Sequence, residues 1–181
     1  MRIIAGEWRG RKLDAPTGDT TRPTADRTRE TLFSMLASRL GSFEGLKLAD
    51  LFAGSGALGL EALSRGAAHC LFVDDDAGAI RAIRTNLQRL GAAARADVRA
   101  GSALALGPAR EPLDLVLLDP PYHTGAGSVA LEKLVRLGWI GPATWISLET
   151  AHDEVVKIKG LEAVAERKVG KARLHLLRLP A

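Results

Sequence analysis

The sequence predicts an α/β protein with a mostly parallel β-sheet that helices cover on both faces. Short apolar segments alternate with helix-like segments from residue 47 onward, as expected of successive βαβ units. The segment 113–118 is almost continuously apolar, which is typical of a central strand. Two strand-like segments flank Gly170 and Lys171 near the C-terminus, and they indicate a closing antiparallel hairpin.

Hydrophobic periodicity, together with start and stop residues, gives the order of the elements. We expect strands at 47–52, 70–74, 95–100, 113–118, 144–148, 163–169 and 173–179. We expect helices from residue 24 or 26 to about residue 40, and at 57–65, 77–90 and 128–137. Gly66 and Gly91 follow two of these helices, at the position where glycine commonly ends a helix.

The N-terminal segment differs from the rest of the chain. Residues 2–5 and 8–13 can form two short strands that turn at Gly6 and Glu7, and a polar loop with turn residues follows at 14–19. We therefore divide the chain into a basic β-hairpin and loop extension, residues 1–25, and a main domain, residues 26–181.

Composition excludes several classes of protein. The chain has 181 residues, of which 46% are apolar and 25% are charged, as in soluble globular proteins. No apolar run is long enough to cross a bilayer, so we expect a cytoplasmic protein with no membrane partner. Cys70 is the only cysteine and the four histidines lack ligand spacing, so we expect neither a disulfide nor a metal site. We also expect a monomer.

A glycine-rich loop, residues 50–59, lies between the first strand of the alternating pattern and the following helix. Gly54, Gly56 and Gly59 match the spacing of the dinucleotide-binding fingerprint, and Asp74 follows about 20 residues later at the end of the next strand. Glycines let the backbone approach a ligand closely, and the start of the helix offers free N–H groups. The pattern favours a nucleotide-like ligand over a plain strand–helix turn.

A second motif, Asp119-Pro120-Pro121-Tyr122, directly follows the most apolar strand. Because the carboxyl ends of parallel strands line the ligand crevice, we expect this motif to face the same cleft as the glycine loop. Asp119 and the Pro120 carbonyl are hydrogen-bond acceptors, and Tyr122 offers a flat face for stacking. Such a set suits a planar group with an exocyclic amine, whereas the alternative is a Pro-Pro turn with a surface tyrosine.

Basic residues concentrate toward the ends of the chain, and the formal net charge is +4. Arg9 and Arg11 lie in the N-terminal extension, and Arg22, Arg27 and Arg29 fall within eight residues at a loop–helix junction. Arginines in such positions can hold phosphates, although a solvated helix start would carry the same charges.

Together these motifs resemble S-adenosylmethionine-dependent amino-methyltransferases. More narrowly, the chain is similar to the bacterial enzymes that methylate N2 of one guanine in 16S ribosomal RNA. The similarity runs over almost the whole chain, through residues 2–6, 9–11, 22–24, 29–33 and 51–66. Asp74 stands where the family usually has glutamate, and Ser102 stands where aspartate is commoner in methyltransferases.

The resemblance implies a Rossmann-like class I methyltransferase fold for residues 26–181, with 16S ribosomal RNA, in the small subunit or its assembly intermediate, as partner. It implies that S-adenosylmethionine is held by Asp50, Phe52, Ala53, Gly54, Ser55, Gly56, Asp74 and Ser102. It implies a catalytic motif of Asp119, Pro120, Pro121 and Tyr122. It places RNA contacts on Arg9, Arg11, Arg22, Thr24, Arg27 and Arg29.

Three alternatives stay open at this point. An NAD-dependent dehydrogenase would explain the glycine loop and Asp74, but it leaves residues 119–122 without a role. A non-catalytic ribosome-assembly factor would need only the basic ends of the chain. An adenine-N6 methyltransferase acting on RNA or DNA shares the Asp-Pro-Pro-Tyr motif, although the chain has no room for a DNA target-recognition domain.

Overall fold

A computed structural model describes residues 1–16 and 23–181, and these residues form a single mixed sheet with flanking helices. The helices are α1 (Pro23–Leu40), α2 (Ala57–Ser64), α3 (Ala77–Leu90) and α4 (Ala126–Arg136). The strands are β1 (Lys47–Leu51), β2 (His69–Asp74), β3 (Ala96–Ala100), β4 (Leu115–Leu118), β5 (Trp145–Ala151), β6 (Glu162–Val169) and β7 (Ala172–Arg178).

The sheet has seven strands in the order β3-β2-β1-β4-β5-β7-β6. The first five of these strands are parallel to one another, and β7 pairs antiparallel with both β5 and β6. The predicted parallel sheet with a closing antiparallel hairpin is thereby confirmed. The strand order reverses between β1 and β4, the place where open α/β sheets commonly hold their ligands.

Helices cover both faces of the sheet, as the alternation of side chains along the strands requires. One face packs against α1, α2 and α3, through residues such as Phe33, Leu60 and Ile83. The opposite face packs against α4, through Leu131 and Leu134. Within the described ranges, 1–16 and 23–181, no helix is both long and apolar enough to span a bilayer.

The observed elements depart from the predicted ones mainly at their ends. Strand β5 continues three residues past the predicted end at Leu148, because the segment 146–151 pairs with β7 in an antiparallel ladder. Strand β4 begins two residues later than predicted, at Leu115, and just before it Asp114 accepts the Lys47 amide on its carboxylate at 2.8 Å.

The predicted N-terminal hairpin is present in a short form. Arg2 and Lys12 form a bridge, and the Ile3 amide donates to the Arg11 carbonyl at 2.9 Å. The next two amides turn to α2 instead, since Ile4 and Ala5 donate to the Glu61 carboxylate at 2.9 and 3.0 Å. The paired part of the hairpin therefore ends after Ile3.

The N-terminal segment is packed into the main core. Ile3, Trp8 and Leu13 are all buried in the same apolar cluster as α1 and α2. The Ser64 hydroxyl of α2 accepts the Trp8 amide at 3.0 Å. Residues 1–13 therefore share the sheet domain's core.

Helix α2 approaches the sheet so closely that one position allows only glycine. A Cβ atom at Gly59 would lie 2.4 Å from the Phe72 ring and 2.7 Å from the Cys70 sulfur. Both neighbours are fully buried strand residues and have little room to move. The third glycine of the fingerprint is thus explained by helix–sheet packing.

We predict that Gly59→Ala lowers the free energy of unfolding by about 1–3 kcal/mol, because the added methyl overpacks the core. Gly107→Ala is the matched control, since a Cβ atom there meets no heavy atom within 4 Å. Urea unfolding of both variants measures the difference. Equal stabilities would show that α2 can shift away from the sheet without loss.

Candidate active site

The two predicted motifs meet at one rim of the sheet. Strands β1 and β4 are neighbours, with Leu51 opposite Leu118. The loops that follow these strands therefore start side by side, and the Asp119 amide donates to the Leu51 carbonyl at 3.4 Å. The two loops thus lie side by side at the same rim, and their sharing of one ligand cleft stays a prediction.

The glycine loop is a tight turn with an unusual backbone. Phe52 has φ 56°, a left-handed conformation that is uncommon for a non-glycine residue and is often found at functional sites. Gly54 and Gly56 also have positive φ, at 59° and 81°. A Cβ atom at Gly54 would meet nothing within 4 Å, so the loop backbone there faces open space. The Gly54 and Gly56 amides are used within the protein, by Asp74 and by the Ala53 carbonyl, so the open space at Gly54 admits a ligand close to the backbone without freeing these two N–H groups.

Asp50 lies beneath this loop and is almost completely buried. Its Oδ2 accepts the Gly59 amide at 2.9 Å, whereas its Oδ1 is buried without a hydrogen-bond partner among the described residues. Burial, with a smaller contribution from the charge of Asp74, raises the pKa of Asp50 to about 8. A buried carboxyl with one unsatisfied oxygen fits a cationic ligand group that would complete it.

Of the three consecutive aspartates, Asp74 is the one joined to the glycine loop. Its Oδ2 accepts the Gly54 amide and its Oδ1 accepts the Asp76 amide, at 2.8 and 2.9 Å. Asp76 caps α3 by accepting the Ala79 amide, and Asp75 is exposed. The assignment of the ribose contact to Asp74 rests on this placement and stays a prediction.

Ser102 lies near the same rim. The amide of its neighbour Gly101 donates to the Asp74 carbonyl at 2.9 Å, which ties the end of β3 to the end of β2. The Ser102 hydroxyl accepts the Leu104 amide at 3.1 Å and caps a short 3₁₀ turn. Its hydroxyl hydrogen is not used in that bond.

The Asp119–Tyr122 loop carries a half-open aromatic ring beside a pair of carboxyl groups. The Tyr122 hydroxyl donates to Glu149 Oε2 at 2.8 Å, and the pairing of Leu118 with Leu148 places Asp119 beside Glu149. Tyr122 is 39% exposed, so its ring can receive a stacking partner. Pro120 lies between Asp119 and Tyr122 and is buried, and its ring restricts the direction of the backbone there.

These contacts change the acidity of all three groups. Desolvation, followed by the charge of Glu149, raises the pKa of Asp119 well above its usual range and also raises the pKa of Tyr122. Burial likewise raises the pKa of Glu149. Perturbed carboxyl groups gathered in a cleft are typical of functional sites.

Glu149 and Glu154 were not among the residues predicted from the sequence. Glu154 accepts the amides of His123 and Ala151 at 3.0 and 2.6 Å, and so ties residues 121–125 to β5. Glu149 could have been found, because it follows the predicted strand 144–148 at the same rim as Asp119.

The predicted RNA-contacting residues differ in their surroundings. Arg9, Arg11 and Arg27 are exposed. Arg22 lies outside the described residues, as does the side chain of Thr24, whose backbone belongs to the first turn of α1.

Arg29 corrects the prediction. It is 4% exposed, its guanidinium donates to the Arg2 carbonyl, and it lies 3.3 Å from Asp26 and 3.5 Å from the buried Glu61. A guanidinium held in this way is not available to an RNA phosphate. Charge spacing alone cannot distinguish it from the exposed Arg27 two residues earlier.

The N-terminal segment is tied to the glycine loop by one amide side chain. Asn86 Nδ2 donates to the carbonyls of Ser55 and Asp14, both at 3.0 Å, and its Oδ1 accepts the Asp14 amide at 2.8 Å. Asn86 is buried, so these bonds are shielded from water.

Across residues 1–16 and 23–181, no cluster of three or more potential metal ligands occurs.

We predict that Asp50 makes the protein less stable as the pH rises. Between about pH 4 and pH 8 the folded state keeps a proton on Asp50 that the unfolded chain has lost, so the free energy of unfolding falls with pH. The expected slope is about 1.4 kcal/mol per pH unit, and Asp50→Asn should lack it.

Urea unfolding at several pH values compares wild type, Asp50→Asn and the exposed control Asp75→Asn. The difference between wild type and Asp50→Asn isolates Asp50 from the other buried acids. A pH-independent difference would show that Asp50 is ionised throughout.

Known proteins similar to this chain carry the same fold and related names. The family model described as conserved hypothetical protein 95 matches residues 1–178. Ribosomal RNA small subunit methyltransferase D of Haemophilus influenzae is 40% identical over 158 residues, which cover 85% of this chain and 80% of the relative. The protein of that name in Escherichia coli is 39% identical over 150 residues, covering 83% and 74%.

Solved structures agree. The Escherichia coli protein yhhF, provisionally described as a methyltransferase, superposes with a TM-score of 0.84 at 36% identity, covering all of this chain and 98% of that one. The chain therefore belongs to the conserved hypothetical protein 95 family, together with the bacterial ribosomal RNA small subunit methyltransferases D.

Proposed function

We propose that this protein transfers a methyl group from S-adenosylmethionine to the exocyclic N2 amine of a guanine in 16S ribosomal RNA. One observation carries the proposal. The glycine loop and the Asp119–Tyr122 loop meet at one rim, in a chain from a family of small-subunit ribosomal RNA methyltransferases. The donor supplies, when bound, an electrophilic methyl group on a cationic sulfur.

The residues beside the glycine loop fit this donor. The unpartnered Oδ1 of Asp50 suits the ammonium of the methionyl part, and Asp74 suits the ribose hydroxyls. Both Asp74 oxygens already accept amides, but a carboxylate oxygen can accept a second hydrogen bond. The turn from Phe52 to Gly56 would hold the methionyl part, and Ser102 would lie toward the adenine.

The Asp119–Tyr122 loop fits the acceptor. A guanine would leave its stack and enter the cleft, as enzymes that modify bases require. Tyr122 would stack on the base, while Asp119 and the Pro120 carbonyl would accept hydrogen bonds from N2. These bonds favour a pyramidal nitrogen, whose lone pair is then free to react.

The transfer itself needs little beyond positioning. The N2 lone pair forms the new C–N bond as the C–S bond breaks, the bonding electrons leave with sulfur, and one N2 hydrogen departs as a proton to solvent. Alignment of the reacting groups can contribute about 7–11 kcal/mol of barrier lowering. The rate thus depends on how firmly the chain holds both loops.

Exposed arginines on the N-terminal side would hold the RNA backbone. Arg9, Arg11 and Arg27 are exposed, as phosphate contacts require. Arg22 and Thr24 stay part of the proposed RNA contact, and Arg29 does not. The natural substrate would be the small subunit or an assembly intermediate, since such a short chain has little surface to read sequence.

The decisive experiment treats small subunits that lack the modification with this protein and labelled S-adenosylmethionine. Mass spectrometry then identifies the methylated nucleoside and its position, and Asp119→Ala serves as the inactive comparison. N2-methylguanosine is the expected product, and N6-methyladenosine would refute the assignment.

The remaining alternatives have their own readouts. Calorimetry with S-adenosylhomocysteine and NAD separates the methyltransferase from a dehydrogenase, since only one ligand should bind at micromolar levels. If the protein were a non-catalytic assembly factor, Asp119→Ala would leave its cellular role intact, and loss of the methyl group together with that role would reject this alternative.

We predict that Tyr122→Ala lowers turnover roughly 5- to 150-fold, because stacking on an aromatic side chain contributes about 1–3 kcal/mol per base. Binding of S-adenosylhomocysteine should change less than twofold, since Tyr122 belongs to the acceptor side of the cleft. Methylation kinetics and calorimetry measure the two effects. Equal losses in both would argue against a stacking role.

A further inference from the structure

Strand register places one further acidic residue beside the acceptor loop. Leu118 of β4 is paired with Leu148 of β5, so the residues that follow, Asp119 and Glu149, emerge side by side at the rim. Because β5 continues to Ala151 through its pairing with β7, Glu149 is held by a regular ladder. Its backbone is therefore more rigid than that of the loop it faces.

Glu149 faces both side chains that the acceptor base would meet. Its Oε2 accepts the Tyr122 hydroxyl at 2.8 Å. The pairing of Leu118 with Leu148 places its carboxyl beside that of Asp119, and the charge of Glu149 helps to raise the pKa of Asp119. Two neighbouring carboxyl groups disfavour a second negative charge, so this pair favours a single shared proton.

The titratable groups that act on Asp119 and Tyr122 besides Glu149 are acids as well, while His123 of the same loop faces Asp153 at 3.6 Å. The charge of Asp50, on β1, helps to raise the pKa of Asp119, and the charge of Glu154, in the segment after β5, helps to raise the pKa of Tyr122. Glu154 is occupied by the backbone amides of His123 and Ala151. Each of these acids disfavours a second negative charge, which supports a singly protonated Asp119–Glu149 pair.

We propose that Glu149 is a positioning residue for methyl transfer, which fixes the Tyr122 ring through its hydroxyl and the Asp119 carboxyl through a shared proton. The inference rests on the proposed function for its meaning. Tyr122 and Asp119 lie on a loop, and each needs a fixed partner to meet the base at a defined angle. When the acceptor amine binds, the shared proton can move to Glu149, so that Asp119 receives the N2–H as a carboxylate.

The test compares Glu149→Gln and Glu149→Ala with Glu132→Gln, an exposed control on α4. Glutamine keeps an acceptor for Tyr122 and gives Asp119 an N–H donor without a charge. Alanine removes both contacts.

We predict that Glu149→Ala lowers kcat about 10- to 100-fold, while the Kd of S-adenosylhomocysteine changes less than twofold. Glu149→Gln should retain kcat within about tenfold, because Tyr122 stays anchored. The acid limb of its kcat–pH profile should move to lower pH, since the charge that raises the pKa of Asp119 is gone. Glu132→Gln should match wild type in all three measurements.

A readout without activity separates this inference from the proposed function. NMR titration of ¹³C-carboxyl-labelled protein should show Asp119 ionising at lower pH in Glu149→Gln than in wild type. If wild type does not methylate guanine but this shift appears, the proposed function fails and the pairing stands. If wild type is active but neither the pH limb nor the NMR titration moves in Glu149→Gln, the inference is overturned.

Discussion

The parallel pairing of β1, β4 and β5 is the constraint on which the site depends. Each pairing fixes where a strand ends, so the residues after Leu51, Leu118 and Leu148 emerge in one row at one rim. The loops that follow these strands are therefore adjacent without long connecting segments. A one-residue slip in any of these registers would turn a functional side chain toward the opposite face of the sheet.

Acidic side chains gather at this rim, and this has an energetic consequence. Desolvation raises the pKa values of the buried Asp50 and the half-buried Glu149. Acids held in this way make the fold less stable than neutral side chains of similar shape would. A cationic donor would offset that cost on binding, because it supplies the opposite charge. The acidic groups at this rim thus favour the cationic donor that the proposed function requires.

The sequence alone was sufficient for the succession of strands and helices along the chain and for the two motifs, because both depend on local patterns. Apolar runs and glycine positions mark strand ends, and parallel topology then brings those ends together. The sequence alone could not predict which charged residues are buried. Arg27 and Arg29 look alike in the sequence, yet Arg29 is buried by contacts with Glu61, which lies 32 positions further along the chain. Glu149 directly follows the predicted strand 144–148 and could have been placed at the rim, but its hydrogen bond with Tyr122 is a tertiary contact that no local pattern reveals.

Helix α3 links the proposed RNA-contacting segment to the donor loop. The Arg11 guanidinium donates to the Arg89 carbonyl at 2.9 Å, and Arg89 pairs with Asp14 at 2.6 Å. One turn away, Asn86 bonds both Asp14 and the Ser55 carbonyl of the glycine loop. This helix is itself packed into the core. A phosphate bound at Arg11 would therefore contact a residue that is hydrogen-bonded to the same helix that supports the glycine loop. Alignment of two large substrates then depends on the rigidity of a single helix, and a small displacement of α3 would disturb both substrates together.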